Sequence, residues 1–206
     1  MPISAESQIT EIYEHLLKVI SSEGFLKMQG LGNEIPFFIC PFDSAKAEEI
    51  NKKVISPLIN QLKHKGIRVL RIDLYDLAIE LLKERKIWSQ TLEAESDITK
   101  SELKDLLQGV LDPEKHLIPA IAKKMEKDDF EVLFVTGVGE VFPYIRSHTV
   151  LNNLQSTAKD KPTIMFFPGE YNQSAEKGSS LNLFGKLLDD NYYRAFNIYK
   201  HFLKEG

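Results

Sequence analysis

The chain has 206 residues, of which 43% are hydrophobic and 27% charged, and its formal net charge is −4. This composition is typical of a globular protein, and with the length it predicts a single domain spanning residues 1–206. It excludes a membrane helix, which needs an apolar run of roughly 20 residues, and an intrachain disulfide, because Cys40 is the single cysteine.

The same features predict where the protein works and what it does not bind. The N-terminal residues MPISAESQ lack the basic and apolar regions of a signal peptide, and together with the single cysteine this predicts a cytoplasmic protein with no membrane partner. The negative net charge gives no general attraction to nucleic acid, so direct nucleic-acid binding is not supported by the sequence.

The N-terminal third predicts a helix and then a βαβ unit. Apolar residues recur at helical spacing over 9–20. The apolar run 35–42 predicts the first strand, a helical pattern over about 46–65 ends before Gly66, and the run 67–74 predicts the second strand. A strand, a helix and a strand in this order predict two parallel strands.

A helical insertion is predicted at about 75–129, between the second and third strands. Leucines recur there in two helical stripes, and Thr99 with Glu102 fits a capping box that starts a helix. No Gly-, Ser- or Pro-rich stretch separates this segment from its surroundings, so we expect the insertion to pack beside the sheet.

Two further strands complete the prediction. The apolar runs 132–135 and 163–167 read as buried parallel strands, a helix is predicted at about 146–157, and a last helix is predicted from Asp189. The predicted fold is therefore α/β, with a mostly parallel sheet of four or more strands flanked by helices. FEVLFVTGVGEVFP followed by TIMFFPGE resembles the middle strands of AAA-type ATPases, which implies an AAA-like core without a P-loop.

The predicted loops at the carboxyl ends of the strands carry charged residues, which a parallel sheet would gather at one edge. These are Asp43, Asp73, Asp76, Glu140, Arg146, His148 and Glu170. A group of acids with an Arg and a His could hold a metal or perform acid–base chemistry. These residues therefore allow one alternative to a non-catalytic role, a metal-dependent nuclease or nucleotide-binding protein. Solvated loop residues explain the same pattern, and Asp73 and Asp76 also fit the start of a helix.

The motifs that such enzymes need are missing from the sequence. Where a P-loop would follow the first strand the chain reads PFDSAKAEE, which has no glycine and would repel a triphosphate. The histidines lack metal-ligand spacing, and Cys40 lies in a predicted core strand, where an inert thiol is expected. We therefore predict no catalytic residue, no metal and no cofactor. Gly137, Gly139 and Gly169 are predicted instead to shape structural turns.

The candidate partner-binding residues are aromatic and charged residues of the last two loops and of the predicted last helix. They are chosen because Tyr and Arg are enriched at interface hot spots. The candidates are Phe142, Tyr144, Arg146, His148, Glu170, Tyr171, Tyr193 and Arg194. Arg146 is expected to pair with Glu170 or another acid of the same edge. Phe196 is expected on the core face of the last helix.

Four segments carry a resemblance to a known family: GLGNEIPFFI, FVTGVGEVFPYIRSH, FFPGEY and DDNYYRAF. From about Gly30 to the C-terminus the chain resembles the BrxB family of bacteriophage-exclusion (BREX) defence systems. The resemblance implies a non-catalytic protein-interaction or assembly factor in phage resistance. It also implies a partner, PglZ, the large alkaline-phosphatase-superfamily protein of the same systems, and possibly other BREX components.

Overall fold

The computed structural model describes residues 5–29, 36–174, 178–189 and 195–201. Its strands, in chain order, are β1 Phe37–Phe42, β2 Val69–Asp73, β3 Val132–Thr136, β4 Thr163–Ser174, β5 Gly178–Leu183, β6 Leu187–Asp189 and β7 Phe196–Asn197. Its α-helices are α1 Ala5–Ile20, α2 Glu23–Leu26, α3 Ala47–Glu49, α4 Ser56–His64, α5 Leu74–Glu84, α6 Trp88–Glu95, α7 Lys100–Val110, α8 Ile118–Lys127, α9 Ser147–Thr157 and α10 Ile198–His201. Turns of 3-10 and π helix at Ser44–Lys46, Ile50–Ile55 and Pro113–Leu117 connect some of them.

Five parallel strands form the main sheet, in the order β2-β3-β4-β1-β7. β1 lies beside β4, with Phe37 opposite Thr163 and Cys40 opposite Phe166. β2 lies beside β3, so the segment between β1 and β2 carries the chain across two intervening strands. The predicted mostly parallel α/β sheet is confirmed, and its carboxyl ends meet at one edge.

Alternate residues of the strands face two separate apolar layers, as the period of two in a strand requires. Phe37, Ile39, Leu133 and Val135 face one layer, which contains the helices of the insertion and α9. Their neighbours Phe38, Cys40, Val132, Phe134, Ile164 and Phe166 face the other layer, against α1 and α4. Because both faces are covered, the central strands read as continuous apolar runs in the sequence.

The predicted helical insertion is confirmed as α5 to α8. Thr99 and Glu102 form the predicted capping box at the start of α7, in which each side chain bonds the other residue's backbone N–H. The side chain of Asp112 accepts from the N–H of Lys115 and begins the next helical segment. Gly66 has a φ of 79° just after α4, the left-handed conformation predicted for it. Among the described residues, none of the helices combines the length and the hydropathy needed to cross a membrane.

Two sequence predictions about the C-terminal part are wrong. β4 does not end at Phe167 but continues to Ser174, where its polar half pairs with β5 in an antiparallel ladder, and β5 pairs with β6. The predicted helix from Asp189 is also absent from the described residues, because Asp189 ends β6 and helix α10 begins only at Ile198. Phe196 accordingly belongs to β7, where its ring lies 6.0 Å from that of Phe38.

Candidate functional site

The carboxyl ends of β2 and β3 are joined by a polar network. The Oδ2 atom of Asp73 accepts from Thr136 Oγ1 at 2.7 Å and from Arg71 Nη2 at 3.2 Å. Arg71 Nε also donates to Thr136 Oγ1 at 3.0 Å. The other carboxylate oxygen of Asp73 accepts from the backbone N–H groups of Tyr75 and Asp76, at 3.1 and 3.3 Å. Asp73 therefore caps α5, as predicted, and ties the two strand ends together.

A cleft of about 210 Å³ lies over this network, between the start of the helical segment after β1 and the loop after β3. Arg71, Asp73 and Glu140 line it, together with the ring of Phe184. Burial raises the pKa of the Glu140 carboxyl, and the nearby carboxylates of Asp73 and Asp76 raise it further. In the described part of the chain, no three His, Cys, Asp or Glu side chains come together as a metal site would require.

Asp43 and Cys40 at β1 have structural contacts. Asp43 accepts from the backbone N–H of Ala45 at 3.0 Å and so caps the turn after β1. Cys40 is buried in the core strand, and its Sγ lies 3.2 Å from the Tyr199 hydroxyl. Burial raises the pKa of the Cys40 thiol to about 12, so the thiol is protonated at neutral pH and is a poor nucleophile.

The glycines predicted to shape turns allow close backbone approach at this edge. Gly137 has a φ of 74°, and a Cβ there would lie 2.6 Å from Asp73 Oδ1. A Cβ at Gly139 would meet side chains of Pro168 and Phe184 at 2.8 and 2.9 Å. A Cβ at Gly169 would lie 2.2 Å from the backbone oxygen of Asn182 on β5. The hairpin of β5 and β6 therefore packs closely on the loop after β3.

A second cleft, of about 440 Å³, lies between the start of α9 and that hairpin, and we call it the basic groove. Its lining residues are Phe142, Arg146, Ser147 and His148 on one side and Leu181, Leu183, Lys186 and Leu187 on the other. The groove thus brings together three of the predicted partner-binding residues, Phe142, Arg146 and His148. Tyr144, in the same loop, is half-buried and packs against the core.

Neither Glu170 nor Tyr171 is among the residues that line this groove. Glu170 is exposed and accepts from Asn182 Nδ2 at 3.4 Å, on the hairpin face opposite to Leu181 and Leu183. Tyr171 is only 3% exposed, and its hydroxyl donates to the backbone oxygen of Ala195 at 2.7 Å. Tyr171 therefore lies in the core and not on a surface.

The expected ion pair of Arg146 is not formed. Among the side chains that the structure describes, no carboxylate oxygen lies within 4.0 Å of the Arg146 guanidinium, which is exposed to water. The physical reason is the strand extension, because alternation along β4 turns Glu170 to the other face of the hairpin. The candidates Tyr193 and Arg194 lie outside the described residues.

Replacing Tyr171 by Phe tests its placement in the core. The change removes a buried hydroxyl that donates a hydrogen bond, so we expect the free energy of unfolding to fall by about 1 kcal/mol in urea denaturation. Tyr144→Phe, on the half-buried loop, should change stability by less than about 0.5 kcal/mol. Partner binding should be unchanged by Tyr171→Phe, and weaker binding at unchanged stability would contradict the core assignment.

Sequence reasoning missed Arg71 and the hairpin side of the basic groove. Arg71 and Asp73 are two residues apart in a strand and therefore share one face, so their spacing already indicated that the two side chains could pair. The stretch LNLFGKLLD also contained a hairpin signal, a three-residue loop with Gly185 between Leu183 and Leu187. Recognising it would have placed Lys186 in the turn and Leu187 opposite Leu183.

A family model described as BREX protein BrxB matches residues 70–198, more than half of the chain. A BREX protein BrxB of Bacillus cereus strain H3081.97 is 35% identical over 196 residues, which cover 93% of this chain and 97% of the relative. A BREX protein BrxB of Escherichia coli O9:H4 strain HS is 30% identical over 179 residues, which cover 87% and 86%. No solved structure matches the chain.

Proposed function

The chain belongs to the BrxB family, whose members are components of BREX phage-defence systems, and on that premise we propose that it is a non-catalytic interaction and assembly factor. We propose PglZ as its partner, other BREX components as further members of the assembly, and the cytoplasm as the compartment. The basic groove is the proposed contact surface. Phe142, Arg146 and His148 are its contact residues on the α9 side.

The observation that carries this proposal is the contrast between the two clefts. At the carboxyl edge the side chains of Arg71, Asp73 and Thr136 form hydrogen bonds with one another, so these polar groups are paired within the protein. In the basic groove Arg146 is exposed, and Leu187 has 42% of its surface exposed beside it. Arginine and aromatic residues are the types enriched at interface hot spots, and Arg146 and Phe142 both line this groove.

The proposal is tested by co-expressing the tagged chain with the PglZ protein of the same operon. The tagged chain is then captured, and the proteins bound to it are identified. We expect the two proteins to elute together in size-exclusion chromatography, because the basic groove provides an apolar and cationic contact surface. Leu187→Asp should weaken this association by at least about 10-fold, since it places a charge at the apolar contact. Leu92→Asp on α6 is the matched control, because Leu92 is 49% exposed and lies in the helical insertion.

Two results would contradict the proposal. If the chain associates with neither PglZ nor any other protein of the operon, the assembly role is wrong. If association is strong but Leu187→Asp and Leu92→Asp behave alike, the assembly role stands and the basic groove is not its contact surface. Thermal melting of both variants checks that each one is folded.

A further inference from the structure

We infer that the basic groove receives an acidic segment of the partner protein, and that this segment inserts an apolar side chain between Phe142 and Leu187. The inference rests on the proposed function, because it names the chemistry of the segment that the proposed contact surface would recognise.

The groove carries positive charge on both of its sides. Arg146 and Lys186 line the groove from opposite sides, the imidazole of His148 lies beside them, and both long side chains are exposed. No Asp or Glu is among the lining residues that the structure describes. The whole chain carries a net charge of −4, so the presence of the two cationic side chains Arg146 and Lys186 in one groove is a local feature on an acidic protein. A carboxylate-rich segment is its electrostatic complement.

The start of α9 adds to this field. Arg146 is the N-cap residue of α9, and its own side chain makes no capping hydrogen bond there. The partial positive charge of a helix N-terminus therefore acts at the same end of the groove as the Arg146 guanidinium. This contribution supports the charge argument and does not define a separate site.

The shape of the groove fits one apolar side chain. Leu181 and Leu183 are buried, with 1% and 5% of their surface exposed, and they form an apolar floor. The half-buried ring of Phe142 stands at one side, braced edge-on by Phe184 at 6.3 Å between ring centroids, and Leu187 stands at the other. A volume of about 440 Å³ accommodates a few side chains and not a folded domain. An acidic segment that carries one apolar anchor fits both the floor and the charged rim.

Charge reversal of the groove tests the inference with the captured partner. The double variant Arg146→Glu with Lys186→Glu should bind the PglZ protein at least about 10-fold more weakly, and wild-type binding should weaken as salt is raised. The matched control is Lys65→Glu with Lys159→Glu, two exposed lysines that follow the C-terminal ends of α4 and α9. Both double variants change the net charge by the same amount, so only the position of the charges differs.

Overlapping peptides that cover the partner sequence identify the segment that enters the groove. Their binding to the full chain is measured by fluorescence polarisation. The tightest peptide should be acidic with an apolar residue, and it should lose binding to the groove variant. If the groove variant binds the partner as well as the wild-type chain does, the inference is overturned and the assembly role stays intact. The same holds if the peptide that binds most tightly is basic or neutral. Tight binding of a labelled DNA oligonucleotide that competes with the partner for the groove would also overturn it. If no operon protein is captured by the wild-type chain, the proposed function itself fails.

Discussion

Gly169→Ala is expected to destabilise the protein by about 3 kcal/mol and to abolish partner binding through the basic groove. A Cβ at this position would lie 2.2 Å from the backbone oxygen of Asn182 and 3.0 Å from the backbone nitrogen of Phe184. These are backbone atoms, so relief requires β4 and β5 to move apart. Leu183, which forms part of the groove floor, pairs directly with Gly169 and would move with β5.

Gly109→Ala is the matched control for this change. Gly109 lies in α7, and a Cβ there would meet no atom within 4 Å. Alanine is the better helix former, so this variant should be more stable by about 0.5–1 kcal/mol and should bind the partner normally. Urea denaturation and the capture assay report the two quantities separately. A Gly169→Ala protein with wild-type stability would show that the two strands have room to separate.

The central fold was predictable because its local signals agree. Buried parallel strands read as continuous apolar runs at β1 and β3, and the capping residues Thr99 and Asp73 begin helices where the sequence predicted. The caps depend on a few neighbouring residues, and the apolar runs depend on burial at both faces of the sheet. The α/β class and the helical insertion follow from them.

The hairpin was not predictable in the same way, because it depends on contacts that a single segment does not reveal. The residues PGEYNQS are polar and contain a proline and a glycine, so they read as a loop, yet pairing with β5 makes them a strand. Register then decides which face each residue occupies, and it sends Tyr171 into the core and Glu170 away from Arg146. The error about the strand therefore caused the error about the ion pair.

Asp73→Ala is expected to cause a second large loss of stability, because Asp73 is part of the polar network at the carboxyl edge. This change removes the cap of α5 and the carboxylate that pairs with Arg71, whose side chain is only 28% exposed. Loss of the cap costs about 1 kcal/mol, and a partly buried cation without its partner costs a further 1–3 kcal/mol. We expect the free energy of unfolding to fall by about 2–4 kcal/mol in urea denaturation.

Asp73→Asn separates the two contributions, because an asparagine still caps a helix but carries no charge for Arg71. Its expected loss is about 1–2 kcal/mol, smaller than that of alanine. Asp76→Asn is the control, since Asp76 is exposed in the first turn of the same helix, and it should change stability by less than about 0.5 kcal/mol. Partner binding at the basic groove should persist in all three variants, because Asp73 joins β2 to β3 and does not line that groove. Equal losses for Asp73→Ala and Asp76→Asn would show that the network contributes little, and the carboxyl edge would then be a surface held only by its apolar strands.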